Sequence, residues 1–157
     1  MKKFLAFAVT LMVAATLSQA AHAADFSKQI KARKAVMQLY AFNVGQLAAM
    51  VKGKMPYDAA AASVAANNLL AAANMKQSAM WPKGSDASAP GLDGKTRAKA
   101  DIWSQYPKVA EAGKGLVAAA TKMAAAAGNG VDGIKANFGA VGGACKACHK
   151  PFRAPKK

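Results

Sequence analysis

Ile134, Phe138, Val141, Cys145, Cys148 and Phe152 step by four, three, four, three and four residues, which aligns them along one face of an α-helix. The segment is expected to run from about Asp132 to His149 or slightly beyond. Pro151 lacks a backbone N–H, so an early stop to this helix is expected. The stripe needs partner helices to cover it. It also carries two thiols inward, with the imidazole of His149 one turn after Cys145 on an adjacent face.

Three earlier segments supply those partners. The first is expected from about Ser27, a candidate N-cap, to Lys52, with Gly53 just past its end. Its inward stripe reads Ile30, Arg33, Met37, Tyr40, Val44, Leu47 and Val51. Arg33 on that stripe either lays its methylenes along the core and reaches water, or faces an anion. The second begins at Pro56-Tyr57-Asp58 and continues to about Ala79, its alanines allowing close backbone approach. Residues 81–100 hold too much Pro, Gly, Ser and Asp for a helix and read as a crossover or a functional loop. The third has a lead-in at Asp101-Ile102-Trp103, then a body from about Gln105 to Ala127 along Val109, Ala112, Leu116, Ala119, Met123 and Ala127. β-branched residues are sparse and no convincing strand is found, so the fold class is all-α, a four-helix bundle.

Met1-Lys2-Lys3, the apolar run Phe4–Leu17 and Ala21-x-Ala23 form a signal-peptide pattern, with cleavage expected near Ala23. The run is too short for a membrane anchor. Residues 1–23 are therefore expected to leave, and residues 24–157 to fold as one domain in the periplasm with no transmembrane anchor. His22 departs with the leader, making His149 the only histidine of the mature chain.

Cys145-Lys146-Ala147-Cys148-His149 has the spacing for attaching a c-type haem: two thiols add to the porphyrin vinyl groups and the histidine binds iron. Zinc would want a fourth ligand. A haem-free thiol oxidoreductase is the alternative from another class, but its usual strand–helix–strand setting is missing. Glycines 139, 142 and 143 fit either a macrocycle lying close to the backbone or close packing of a neighbouring helix. Met37, Met50, Met55, Met75, Met80 and Met123 are the candidate thioether ligands for the opposite face of the iron; Met37 stands out, one turn after Arg33. The carboxylates are scattered at helix starts and in loops, which suits capping rather than acid–base catalysis, and an enzyme is not expected. The formal charge of the full chain is +15. Its lysines are spread without aromatic interleaving, which argues against nucleic acid and for an acidic redox partner or an anionic membrane surface. Lys146, Lys150, Arg153, Lys156 and Lys157 would make the haem edge positive.

These residues resemble the class II c-type cytochromes, meaning cytochrome c′ and its low-spin relative cytochrome c-556. The matching stretches are Ile30-Lys-Ala-Arg33 with Met37, Leu47 through Asp58, Ile102-Trp103, and Cys145 through Arg153. The resemblance implies an antiparallel four-helix bundle with one covalent haem c on the last helix, often paired as a homodimer. Cys145 and Cys148 would carry the thioethers and His149 the proximal iron bond. Arg33 would lie near the propionates and Arg153 near the proximal histidine. Met37 falls where the subclasses divide. As the distal ligand it implies an electron carrier. As a residue that only blocks that face, it implies a five-coordinate protein binding nitric oxide or carbon monoxide in transport, scavenging or sensing.

Overall fold

The computed structural model describes residues 25–156, so the expected leader, residues 1–23, lies outside the described residues. The elements are α1 (Ser27–Val51), α2 (Ala59–Ala73), a 3-10 turn at Ser78–Met80, a short α3 (Asp101–Ser104), α4 (Tyr106–Ala126) and α5 (Val131–Phe152). The four long helices form an antiparallel bundle. α1 packs on α2 and α5, and α4 packs on the same two, so α1 and α4 lie across the diagonal.

Helix ends follow local chemistry. Ser27 is the first helical residue rather than the cap. Phe26 occupies the N-cap position, and the Ser27 N–H donates to Asp25 Oδ1 at 2.9 Å. Asp58 caps α2, its Oδ1 accepting from the Ala61 N–H at 2.6 Å, worth about 1 kcal/mol. That helix stops at Ala73, short of the expected Ala79. The Asn74 N–H closes onto Leu70 O, and the chain then turns into the Ser78–Met80 segment. Gly53 ends α1 with φ +67°, a conformation suited to glycine. Pro151 does not stop α5, which continues to Phe152. In the last turn the proline ring forfeits one helical bond, and the Arg153 N–H still reaches His149 O at 3.1 Å.

The core follows the three–four stepping with a drift. On α1 the buried positions are Ile30, Arg33, Val36, Tyr40, Asn43, Leu47 and Met50, while Met37, Val44 and Val51 are half-buried beside them. A helix of 3.6 residues per turn slides across any fixed stripe, so the expected line straddles two rows. Asn43 is accommodated because its Nδ2 donates to Leu39 O at 2.8 Å. Leu47, Leu69, Met123, Ile134 and Val141 are the largest apolar side chains sealed in the centre. α2 contributes mainly alanines, Ala62, Ala65, Ala66 and Ala72, so its backbone sits close to its neighbours.

Two features close the bundle ends. The Tyr57 hydroxyl donates to Ala127 O at 3.0 Å and accepts from the Gly130 N–H at 2.8 Å, tying the start of α2 to the α4–α5 turn. In that turn a Cβ on Gly133 would sit 2.3 Å from Ala126 O, so only glycine lets α5 leave α4 there. Ala98, Ile102 and Phe152 form a second small core under the crossover, with Trp81, Trp103, Val109 and Cys148 packed against it.

Candidate haem site

α5 presents Cys145 and Cys148 half-buried on the row of Ile134, Val141 and Phe152, with His149 half-buried beside them. Both thiols are free. Burial pushes each thiol above its ordinary pKa. The neighbouring Cys145 adds to the effect at Cys148, and Arg153 opposes it there. His149 is shifted the other way, first by burial and then by the charges of Arg153 and Arg97. The constellation therefore offers two neutral thiols and a neutral imidazole within one turn of helix. This donor set fits covalent attachment of a haem with imidazole ligation. It fits a thiolate catalyst poorly, since that needs a depressed cysteine pKa.

The glycines near the motif are not explained by helix contact. A Cβ at Gly139, Gly142 or Gly143 would meet nothing within 4 Å, so no neighbouring helix presses there.

On α1, Met37 is half-buried and packs on the same core as Phe138, Val141 and Ala144 of α5. Met50 and Met123 are buried core residues, and Met75 is exposed. One turn beyond Met37, Tyr40 donates its hydroxyl to Ala72 O at 3.0 Å and accepts from Gln77 Nε2 at 2.9 Å. Burial raises the phenol's pKa, the Gln77 bond lowers it, and Cys145 raises it further. The first thiol thus lies within electrostatic reach of Tyr40, a relation the sequence did not reveal because it arises only from the folding of α1 against α5.

Arg33 is buried, 4% exposed. Its Nη1 donates to Ser85 Oγ and its Nη2 to Ser85 O, each at 2.7 Å, with a longer bond to Thr96 Oγ1 at 3.4 Å. The guanidinium also stacks 4.6 Å from the centroid of the Trp81 ring. Of the two readings at this position, water is thus replaced by the crossover as the partner. Thr96 leads into Arg97 and Ala98, and Ala98 makes an antiparallel bridge with Arg153. The Lys99 N–H donates to Phe152 O at 3.0 Å and the Ala154 N–H to Arg97 O at 2.8 Å. The crossover is therefore fastened at one end to α1 and at the other to the tail beyond His149. His149, Arg153, Lys146 and Lys150 line one recess together with Arg97. Arg97 carried no signal in the sequence, because backbone pairing with the tail brings it there.

A family model described as Cytochrome C′ matches residues 28–153. Cytochrome c′ of Cereibacter sphaeroides is 41% identical over 147 residues, covering 94% of this chain and 95% of that protein. Cytochrome c-554 of the same organism is 34% identical over 153 residues, covering 98% of each. A solved cytochrome c′ described as having an unusual ligand-controlled dimer dissociation superposes with a TM-score of 0.74 at 32% identity, over 84% of this chain and 98% of that one. The fold and the thiol–imidazole constellation define a class II c-type cytochrome. The chain belongs to the cytochrome c′ family, whose members bind haem c and act as electron carriers or gas-binding proteins rather than enzymes. No helix of the described residues is long and apolar enough to cross a membrane.

Proposed function

We propose that the mature chain, residues 24–157, is a periplasmic electron carrier holding one covalent haem c. Cys145 and Cys148 make the thioethers, His149 is the proximal iron ligand and Met37 the distal one. The observation that carries this reading is the pair of neutral thiols and the neutral imidazole on one turn of α5, with Met37 of α1 packed on the core that α5 shares. When bound, the haem supplies the one-electron chemistry. The chain's own residues anchor it, exclude water from one face and set the charge around it. Arg33 retains donors beyond its loop bonds for a propionate, and Arg153 flanks the proximal imidazole. The basic rim favours an acidic redox partner.

A second reading, a five-coordinate protein that binds nitric oxide or carbon monoxide, is favoured by the match to proteins named cytochrome c′. The ferric spin state separates the two. A low-spin spectrum with a methionine–iron charge-transfer band that disappears in Met37→Ala supports the carrier. A high-spin spectrum indifferent to that substitution supports the gas-binding protein. A pyridine haemochrome assay without thioether-linked haem would sink both.

The same reading includes a homodimer through the outer faces of α1 and α2. Residues 35–51 and 59–75 contain no charged side chain in a chain of net charge +15, and they expose Leu39, Phe42, Val64 and Met75. A second copy docked on that face opposes no like charges across the contact.

A further inference from the structure

The recess beside His149 gathers cations from two separate parts of the chain. Lys146 and Lys150 project from one flank of α5, four residues apart, and Arg153 follows in extended backbone just past the helix end. Arg97 enters from the crossover, and the backbone of Ala154 and Pro155 completes the wall. Four cations thus surround a recess of about 480 Å³, and none of its lining residues is a carboxylate. Asp101 of α3, just beyond the crossover, pairs with Lys99 at 3.5 Å.

Arg97 is held in place rather than loosely displayed. Its Nε donates to Ala154 O at 2.7 Å, and its own carbonyl accepts from the Ala154 N–H at 2.8 Å. That bond uses the inner edge of the guanidinium and leaves its terminal nitrogens free to form a fork. A planar fork pairs with oxyanions in a way a lysine cannot.

We infer that this recess is an anion site, formed by Arg97, Lys146, Lys150 and Arg153, for a phosphate- or carboxylate-type oxyanion seated beside His149. Lys146, Lys150 and Arg153 are exposed, whereas Cys145 and Cys148 lie on the inward row, so the recess flanks the haem attachment face and opens to solvent. An anion there is stabilised by the extra positive charge of ferric iron, and by linkage it stabilises the ferric state in return. Only this redox coupling rests on the haem reading proposed above.

Calorimetric titration of the haem-loaded protein with inorganic phosphate, exchanged against chloride at constant ionic strength, tests the site. The expected result is saturable one-to-one binding that weakens about tenfold in Arg97→Gln and in Arg153→Gln, a loss of roughly 1.4 kcal/mol each. Lys150→Gln, which removes no hydrogen bond of the fold, should weaken it as well, and Lys122→Gln on α4 should not. The reduction potential should fall to a plateau over the same phosphate range in the parent protein and stay flat in Arg97→Gln. A hexaglutamate peptide that competes with phosphate places the carboxylates of a docked partner in the same recess. Absence of saturable heat, as when the haem's own propionates fill the recess, overturns the inference. So does unchanged binding in the arginine variants, or peptide binding without phosphate binding, which marks a diffuse basic face. A sample lacking thioether haem defeats the functional reading alone, leaving the heats to decide the site.

Discussion

Arg33 and Ser85, fifty-two residues apart in the chain, are joined by two hydrogen bonds of 2.7 Å that use both terminal nitrogens of the guanidinium. One bond goes to the serine hydroxyl and one to its carbonyl, so half of the link depends on backbone that no substitution removes. Burial lowers the pKa of Arg33, and nearby Asp86 opposes that shift. The charge is kept because both terminal nitrogens are hydrogen-bonded and its plane is stacked on Trp81.

Arg33→Lys cannot make both bonds and the stack at once. Denaturant unfolding should show a loss of about 2–3 kcal/mol. Ser85→Ala keeps the carbonyl acceptor and should lose only about 1 kcal/mol.

Asp86 lies under the same knot, its carboxylate held below its ordinary pKa chiefly by the Ser88 hydroxyl, which donates to Oδ1. Because its folded value is the lower one, its contribution is complete above the unfolded value of 3.8 and is lost as pH falls through the folded value. Stability measured against pH should therefore drop more gently on the acid side in Asp86→Asn than in the parent.

Tyr57→Phe removes a hydroxyl that both donates and accepts, leaving Ala127 O and the Gly130 N–H without that partner. The site is only partly buried, so water compensates in part. A loss of about 1–2 kcal/mol in thermal or chemical unfolding is expected.

Phe42, 64% exposed on the charge-free face of α1, is the residue to change for the homodimer. Phe42→Glu should shift a dimer to monomer in sedimentation equilibrium with the fold and haem spectrum retained. A dimer unaffected by the substitution would place the interface elsewhere.

How far the sequence foretold this structure depends on the range of the interaction. The rows on α4 and α5 and the break at 81–100 were readable because they depend on spacing and on nearby glycine and proline. The stop of α2 at Ala73 was not, since Met75 through Ala79 have no strong breaker and the turn is set by tertiary packing. The cap at α1 was misplaced by its neighbour, as Asp25 competes better than Ser27 for the first free N–H. At the site, the thiols and imidazole were legible from their own spacing. Arg97 beside His149 and Ser85 beside Arg33 were not, because each pairs residues distant in sequence.

The uncharged outer faces of α1 and α2 and the four cations beside His149 respond to salt in opposite directions. With the dimer and the acidic partner proposed above, screening at higher ionic strength would relieve repulsion between two copies of a strongly basic chain while weakening its pull on that partner. Dilute buffer would thus favour encounter through the flank beside His149, and concentrated buffer self-association through α1 and α2. Ionic strength would then select which face of the protein is occupied, with no change in its conformation.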